Sequence, residues 1–254
     1  MSVLVEACCA SVEDVLEAEK AGCDRVELCS AMSLGGLTPT VGMIRAIKAE
    51  SKIPIMAMNR PRSGGFCYTD EEFEMMKHDA CSLIAEGVEG LVFGILRPDG
   101  TVDSERCGEM MRLISHESMK LPKRVQTVFH RAFDVTPDWR AAMEELIEIS
   151  FDRILTSGQV PNANDGAQNI AEMIKTADGR IEVMPGSGVK AETVANLVEK
   201  TGAKSVHLRA VSWHDDTSCS HGPAAIPFNG SAEPEDQFAI SDASYFQQLI
   251  STLK

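Results

Sequence analysis

Eight short runs rich in β-branched and other apolar residues recur along the chain, each followed by a longer stretch with helical spacing. This alternation constrains the fold more than any other feature, because successive parallel strands need a crossover and an amphipathic helix supplies one. The strand-like runs fall at 3–8, 24–29, 53–60, 90–96, 125–130, 152–156, 181–185 and 205–209. Helical stretches are expected at 12–21, 41–49, 70–86, 104–114, 138–149, 167–176 and 191–201. Ser11 and Thr69 stand where helices would be capped, and Gly22, Gly87 and Gly202 where they would end. Eight such units predict an α/β chain closed into a single (β/α)8 TIM barrel. An open doubly wound sheet is the alternative, but no Gly-x-Gly-x-x-Gly follows the first strand, so no nucleotide cofactor is indicated.

The 254 residues suit one barrel domain over 1–254. After the eighth strand, residues 211–240 are rich in Pro, Gly, Ser and Asp and predict a long loop. Helical spacing returns over 241–253 through Tyr245, Phe246, Leu249, Ile250 and Leu253 for a final helix.

Composition narrows the partners. A net charge of −14 disfavours nucleic acid and anionic membrane surfaces, although a local arginine cluster can still hold a small anion. The opening Met1-Ser2-Val3-Leu4-Val5-Glu6 lacks a basic leader, and no apolar run approaches the roughly 20 residues of a membrane span. The expectation is a soluble cytoplasmic protein. Eight cysteines are scattered without any C-x-x-C, which reads as reduced thiols rather than a disulfide framework. Exposed helix faces on such a barrel leave room for a homo-oligomer.

Candidate chemistry gathers at strand ends. Val5-Glu6-Ala7-Cys8 and Val26-Glu27-Leu28-Cys29 form a small repeat on the first two strands. Period-two alternation sends Glu6, Cys8, Glu27 and Cys29 into the barrel, since the apolar positions suit the helix-covered face. Strand shear leaves their relative heights open. Buried carboxylates are costly unless paired or useful, so Glu6 and Glu27 are candidates for acid–base work or for plain arginine pairing. The third strand ends in Arg60-Pro61-Arg62 and the fifth in His130-Arg131-Ala132-Phe133-Asp134. Arg60, Arg62 and Arg131 could clamp a carboxylate or phosphate through paired hydrogen bonds, with His130 and Asp134 as acid–base groups. The plainer alternative has His130 capping the strand and Arg131 pairing with Asp134. Ser157 after the sixth strand and Gly186-Ser187-Gly188 after the seventh offer polar and backbone N–H groups where barrels often bind phosphate.

Metal binding is the other chemistry these residues allow. Cys8 and Cys29, with Met56 or Met58, are soft donors of the kind that favours Cu(I). A free thiol titrates near about 8.5, and neighbouring carboxylates would hold both cysteines protonated at neutral pH. His214, Asp215, Asp216, Cys219 and His221 form a second ligand-like group beyond the eighth strand.

These motifs, taken together, resemble the CutC family of copper homeostasis proteins over residues 3–210. The matching stretches are Asp24-Arg25-Val26-Glu27-Leu28-Cys29, Gly35-Gly36-Leu37-Thr38-Pro39, Arg60-Pro61-Arg62, Phe129-His130-Arg131-Ala132-Phe133-Asp134 and Arg153-Ile154-Leu155-Thr156-Ser157-Gly158. The resemblance implies a TIM barrel, a cytosolic setting and a connection to copper tolerance or Cu(I) binding. The chain departs from the family pattern at Ser63-Gly64-Gly65, which lacks an acidic group, and at His207-Leu208-Arg209-Ala210 after strand eight. Two functions therefore stand side by side: a Cu(I)-binding protein using Cys8 and Cys29, or a barrel enzyme acting on a small anionic substrate.

Overall fold

A computed structural model describes residues 3–222, 224, 226 and 234–253. Eight parallel strands alternate with helices: β1 (Leu4–Cys9), α1 (Val12–Ala21), β2 (Arg25–Leu28), α2 (Val41–Glu50), β3 (Ile55–Met58), α3 (Asp70–Ala85), β4 (Gly90–Phe93) and α4 (Ser104–Ser118). They continue with β5 (Gln126–Phe129), α5 (Trp139–Ile149), β6 (Arg153–Thr156), α6 (Ala167–Ala177), β7 (Glu182–Pro185), α7 (Val194–Thr201), β8 (Ser205–Leu208) and, at the end, α8 (Ala243–Leu253). Hydrogen-bonded ladders run from β1 through β7 in sequence order, and β8 pairs with β1. The result is a nearly closed (β/α)8 TIM barrel. At the remaining seam, β7 and β8 share no backbone ladder among the described residues, and the Ser205 hydroxyl donates to the Glu182 carboxylate.

Alternation along each strand builds two cores. Outward residues such as Val5, Ala7, Val26, Leu28, Ile55 and Ile154 pack beneath the helices. Inward residues Cys8, Cys29, Met56, Met58, Val92, Val128, Leu155 and Met184 fill the barrel itself. The inner core is rich in sulfur and short of branched aliphatics, unlike the Val/Ile/Leu layers common in barrels.

Boundaries moved where side chains terminate the elements. Asp138 caps α5 by accepting from Arg140 and Ala141 N–H, so that helix starts at Trp139. α4 runs on to Ser118 because Met110, Ile114 and Ser118 continue its buried stripe. Residues 191–193 turn before α7 begins, and the Ala191 N–H donates to the Tyr245 hydroxyl.

The expected loop at 211–240 is corrected in part. Two strands, β9 (Val211–Asp215) and β10 (Gln237–Ser241), pair as an antiparallel ribbon with Ser212 opposite Ile240. Asp14 of α1 anchors the ribbon by accepting from Ser241 N–H at 2.7 Å while also accepting from Ala10 N–H at 2.7 Å. Residues 223, 225 and 227–233 of that expected loop lie outside the described residues. Among the described residues, no helix is long and apolar enough to cross a membrane.

Candidate metal centre

The stagger between β1 and β2 gives two copies of one motif different surroundings. Cα partners are Glu6 with Arg25 and Cys8 with Glu27, so the second Glu-x-Cys sits one inward step above the first. Glu6 lies deep, 1% exposed, where it pairs with the Arg25 guanidinium and with His207 Nδ1 at 2.8 Å. Burial alone would raise the Glu6 carboxyl, but the His207 hydrogen bond and the Arg25 charge overcome it and hold the group down at about 2.

Glu27, one step higher, is surrounded by sulfur. Its Oε2 stands 3.6 Å from Cys8 Sγ, 3.6 Å from Cys29 Sγ and 3.7 Å from His207 Nε2. Its Oε1 is buried without a hydrogen-bond partner. Burial pushes Glu27 up to about 8 against the opposing pull of His207. A buried, unpartnered oxygen beside two thiols marks a place where the protein alone does not complete the bonding.

The thiols split. A hydrogen bond from Cys29 lowers the Cys8 thiol most; burial opposes, and His207 with Arg209 assists, leaving Cys8 down at about 5. Cys29, donating to Cys8 and buried, is pushed well above the ordinary thiol range. His207, though buried, is raised by Glu27, Cys8 and Glu6 and so stays an imidazolium. Cys8 thus departs from the expectation that both thiols are protonated, chiefly through the Cys29 hydrogen bond, with His207 on the adjacent β8 assisting. In His207→Gln this cation disappears, so site-resolved alkylation of Cys8 at pH 6 should slow by about tenfold or more. The reactive window, open above about 5 in the wild type, should retreat to higher pH; an unchanged profile would show that His207 does not hold the thiolate.

A third sulfur comes from the loop after β2. Met32 begins a single 3₁₀ turn, Met32–Leu34, and its Sδ lies 4.0 Å from Cys8 Sγ. Gly36 lets that loop rest on the site: its φ is +83°, and a Cβ there would stand 3.0 Å from Cys29 Sγ. Cys8, Glu27 and Cys29 can all offer ligand atoms within 4.8 Å of one another, and so can Glu6, Glu27 and His207. Met58 lines the same chamber, whereas Met56 lies one inward step deeper on the same strand.

The remaining predicted residues are placed as follows. Arg60 is buried, its guanidinium donating to the carbonyls of Leu34, Gly36 and Gly64 and lying 5.3 Å from the Phe66 ring centroid; it ties two mouth loops together. Arg62 points elsewhere, bound to Glu72 and to the carbonyls of Ser63, Gly65 and Cys67. Arg131 pairs with Asp134 at 2.8 Å and donates to the Ser157 hydroxyl at 2.8 Å. Asp134 also accepts from the Thr156 and Ser157 hydroxyls and from Ser157 and Gln159 N–H, so it acts as a loop organiser. Gly186 N–H donates to Thr156, Ser187 Oγ to Pro161, and Gly188 accepts from Asn164, which fixes that loop at the mouth.

His130 is buried against Phe66, ring centroids 4.9 Å apart, above Gly94, where a Cβ would meet the ring at 2.6 Å. Its Nδ1 accepts from Ala132 N–H at 3.1 Å, which places the neutral ring's proton on Nε2, a buried atom without a partner. Burial and the nearby Arg60 charge push His130 down to about 3. The second ligand-like group does not converge among the described residues: His214 bonds the Ser212 hydroxyl, Asp216 caps a turn at Ser218, and Cys219 is exposed.

Sequence reasoning missed Arg25, Met32 and His207. Ser205 and His207 share one face of β8 by alternation, so the inward histidine was readable; its partner was not, because Glu6 meets it only when β8 closes onto β1.

Two adjoining cavities open at this end. One of about 300 Å³ is lined by Glu27, Cys29, Met58, Arg60, Phe66 and His130; the other, of about 430 Å³, by Arg131, Lys190, Arg209, Asp242 and Tyr245. Cys8, Met32, Arg131 and His207 line both.

A family model described as the CutC family matches residues 3–212. A family protein CutC from Treponema denticola is 39% identical over 252 residues, covering 99% of this chain and 99% of its own. A human protein named copper homeostasis protein cutC homolog is 41% identical over 212 residues, 84% of this chain and 75% of that one. Among solved structures, a copper homeostasis protein CutC from Streptococcus agalactiae superposes with a TM-score of 0.74 at 31% identity, over 81% of this chain and 98% of that one.

Proposed function

The chain belongs to the CutC family, and from that footing we propose that it binds Cu(I) as cargo, through Cys8 and Cys29 with Met32 as a third donor. The observation that carries the reading is the convergence of three sulfurs at the barrel mouth, Cys8 lying 4.0 Å from Met32 and sharing the Glu27 carboxyl with Cys29. Thiolate and thioether are the donors Cu(I) prefers. The Cys8 thiol, held low by the Cys29 hydrogen bond and by His207, supplies a ligand that gives up its proton readily. Such a site works only where thiols stay reduced, which supports a cytoplasmic setting. The names of the relatives point the same way.

The test is a competitive titration of reduced protein with Cu(I) against a chelator of known affinity, for wild type, Met32→Leu and the Cys8→Ser, Cys29→Ser pair. Tight binding near one copper per chain that the paired substitution abolishes supports the reading. Binding indifferent to both cysteines overturns it.

A second reading, an enzyme acting on a small organic ligand, is favoured by the unpaired Glu27 Oε1 and His130 Nε2 in one chamber. Glu27 would carry the transferable proton and His130, neutral, would donate a hydrogen bond. Screening anionic metabolites against Glu27→Gln and His130→Ala tests it; turnover that both variants leave intact would discard it.

A further inference from the structure

The larger cavity has a polarity that the copper reading does not explain. Although the chain carries a net charge of −14, the wall beside Cys8 presents Arg131, Lys190 and Arg209. Neither the Lys190 ammonium nor the Arg209 guanidinium has an ion-pair or hydrogen-bond partner among the described residues. Asp242 is the one carboxylate on the described wall, and it accepts from Tyr245 N–H at the start of α8. Arg131 is partly neutralised by Asp134. Two cations without partners among the described residues, carried on the β7 and β8 loops, therefore line a cavity of about 430 Å³ that is also lined by Cys8, Met32 and His207.

A bare cuprous ion approaching such a wall is repelled, whereas an anion is drawn in and concentrated. A cavity of this volume takes a small organic molecule rather than an ion alone. Its two ends ask for different chemistry: soft sulfur next to Cys8 and hard anionic oxygen next to Lys190 and Arg209. Resting on the copper reading, we infer that this cavity receives a carboxylate-bearing low-molecular-weight thiol that delivers Cu(I) to the cysteines by ligand exchange. In the exchange, Cu–S bonds to two carrier thiolates break and bonds to Cys8 and Cys29 form. Each proton displaced from a cysteine thiol leaves on a departing carrier thiolate, which goes as thiol; a cysteine that enters as thiolate releases its carrier as thiolate. Copper stays Cu(I) and the charge is conserved.

Lys190 and Arg209 hold the carrier and touch no metal, so their removal should change delivery and leave equilibrium affinity alone. The experiment follows Cu(I) transfer by stopped flow from its complex with glutathione and from its complex with glutathione diethyl ester, which has the same sulfur without the carboxylate charges. Wild type should accept copper from the charged carrier about tenfold faster, and Lys190→Gln with Arg209→Gln should remove that preference. Equal rates from both carriers in wild type, or a preference that survives the paired substitution, overturns the inference. A metal-free arm separates it from the copper reading. Calorimetry with S-methylglutathione, which keeps the carboxylates and lacks a donor thiolate, should show binding that the same substitutions weaken by about tenfold. Absence of that binding overturns the cavity assignment even where Cys8 and Cys29 hold copper. Wild type that fails to retain Cu(I) sinks the copper reading, and the calorimetric arm then decides the cavity.

Discussion

Replacing Cys8 and Cys29 together by serine should weaken Cu(I) binding by about three orders of magnitude or more, some 4 kcal/mol, with little loss of fold stability. The large effect on binding follows from softness: a serine hydroxyl is a hard, protonated donor that Cu(I) does not favour, and Met32 alone is a neutral thioether. The small effect on stability follows from size, because serine fills nearly the same space and the neighbouring Glu27 Oε1 already lacks a partner for a new hydroxyl to satisfy. The single variants should differ. Cys8→Ser removes the resident thiolate and should be the more damaging; Cys29→Ser leaves that thiolate but takes away the thiol that donates to it. Equilibrium titration with matched thermal melts checks both halves. A paired variant that still binds as tightly as wild type would move the copper site elsewhere.

Glu6→Ala should be the most destabilising change in the barrel interior, at about 3–5 kcal/mol, or a melting temperature lower by roughly 10 °C. Arg25 is 6% exposed and depends on Glu6 for its charge balance; it also donates to the Met184 sulfur at 3.2 Å, which carries no charge. Removing the carboxylate leaves a guanidinium and the His207 imidazolium facing one another's field in a dry barrel. The pH dependence has a definite sign. Glu6 is held at about 2, below the ordinary carboxylate value of 4.5, so its contribution is complete above about 4.5 and is lost as pH falls toward 2. The gap between wild type and Glu6→Gln should therefore narrow on acidification. Replacing both partners, Glu6→Leu with Arg25→Met, should restore much of the stability lost in the single variants, since a packed apolar pair can replace a buried ion pair at little cost. Chemical denaturation across pH reads all three; a double variant no better than the single would mean the pair is not the source of the loss.

The fold was legible because period-two alternation and helix spacing are local properties, and eight repetitions leave few ways to bury the apolar faces. The same alternation correctly sent Glu6, Cys8, Glu27 and Cys29 inward. What it could not give was height. The register of Cys8 against Glu27 depends on barrel shear, a property of the closed sheet. That stagger turns one Glu into the arginine's partner and the other into a neighbour of both thiols. His207 was missed because its meaning depends on β8 closing onto β1, about two hundred residues away in the chain. Met32 was missed because a short 3₁₀ turn leaves no periodic signature. Arg60 and Arg62 show another limit: their positions at a strand end were right, but the direction of a long flexible side chain is set by whichever carbonyls and carboxylates the loops provide.

The seam between β7 and β8 gives the barrel a beginning and an end, like a sleeve closed at every stitch but one. Strand edges that share no ladder cannot share cooperative protection, so their amides should exchange with solvent before those of β1 to β3. Lys190 and Arg209 hang from the loops on either side of this line. Slight parting of the two edges would widen the mouth without disturbing the Glu6–Arg25 pair beneath it, leaving one side of the barrel able to loosen while the buried charges stay held.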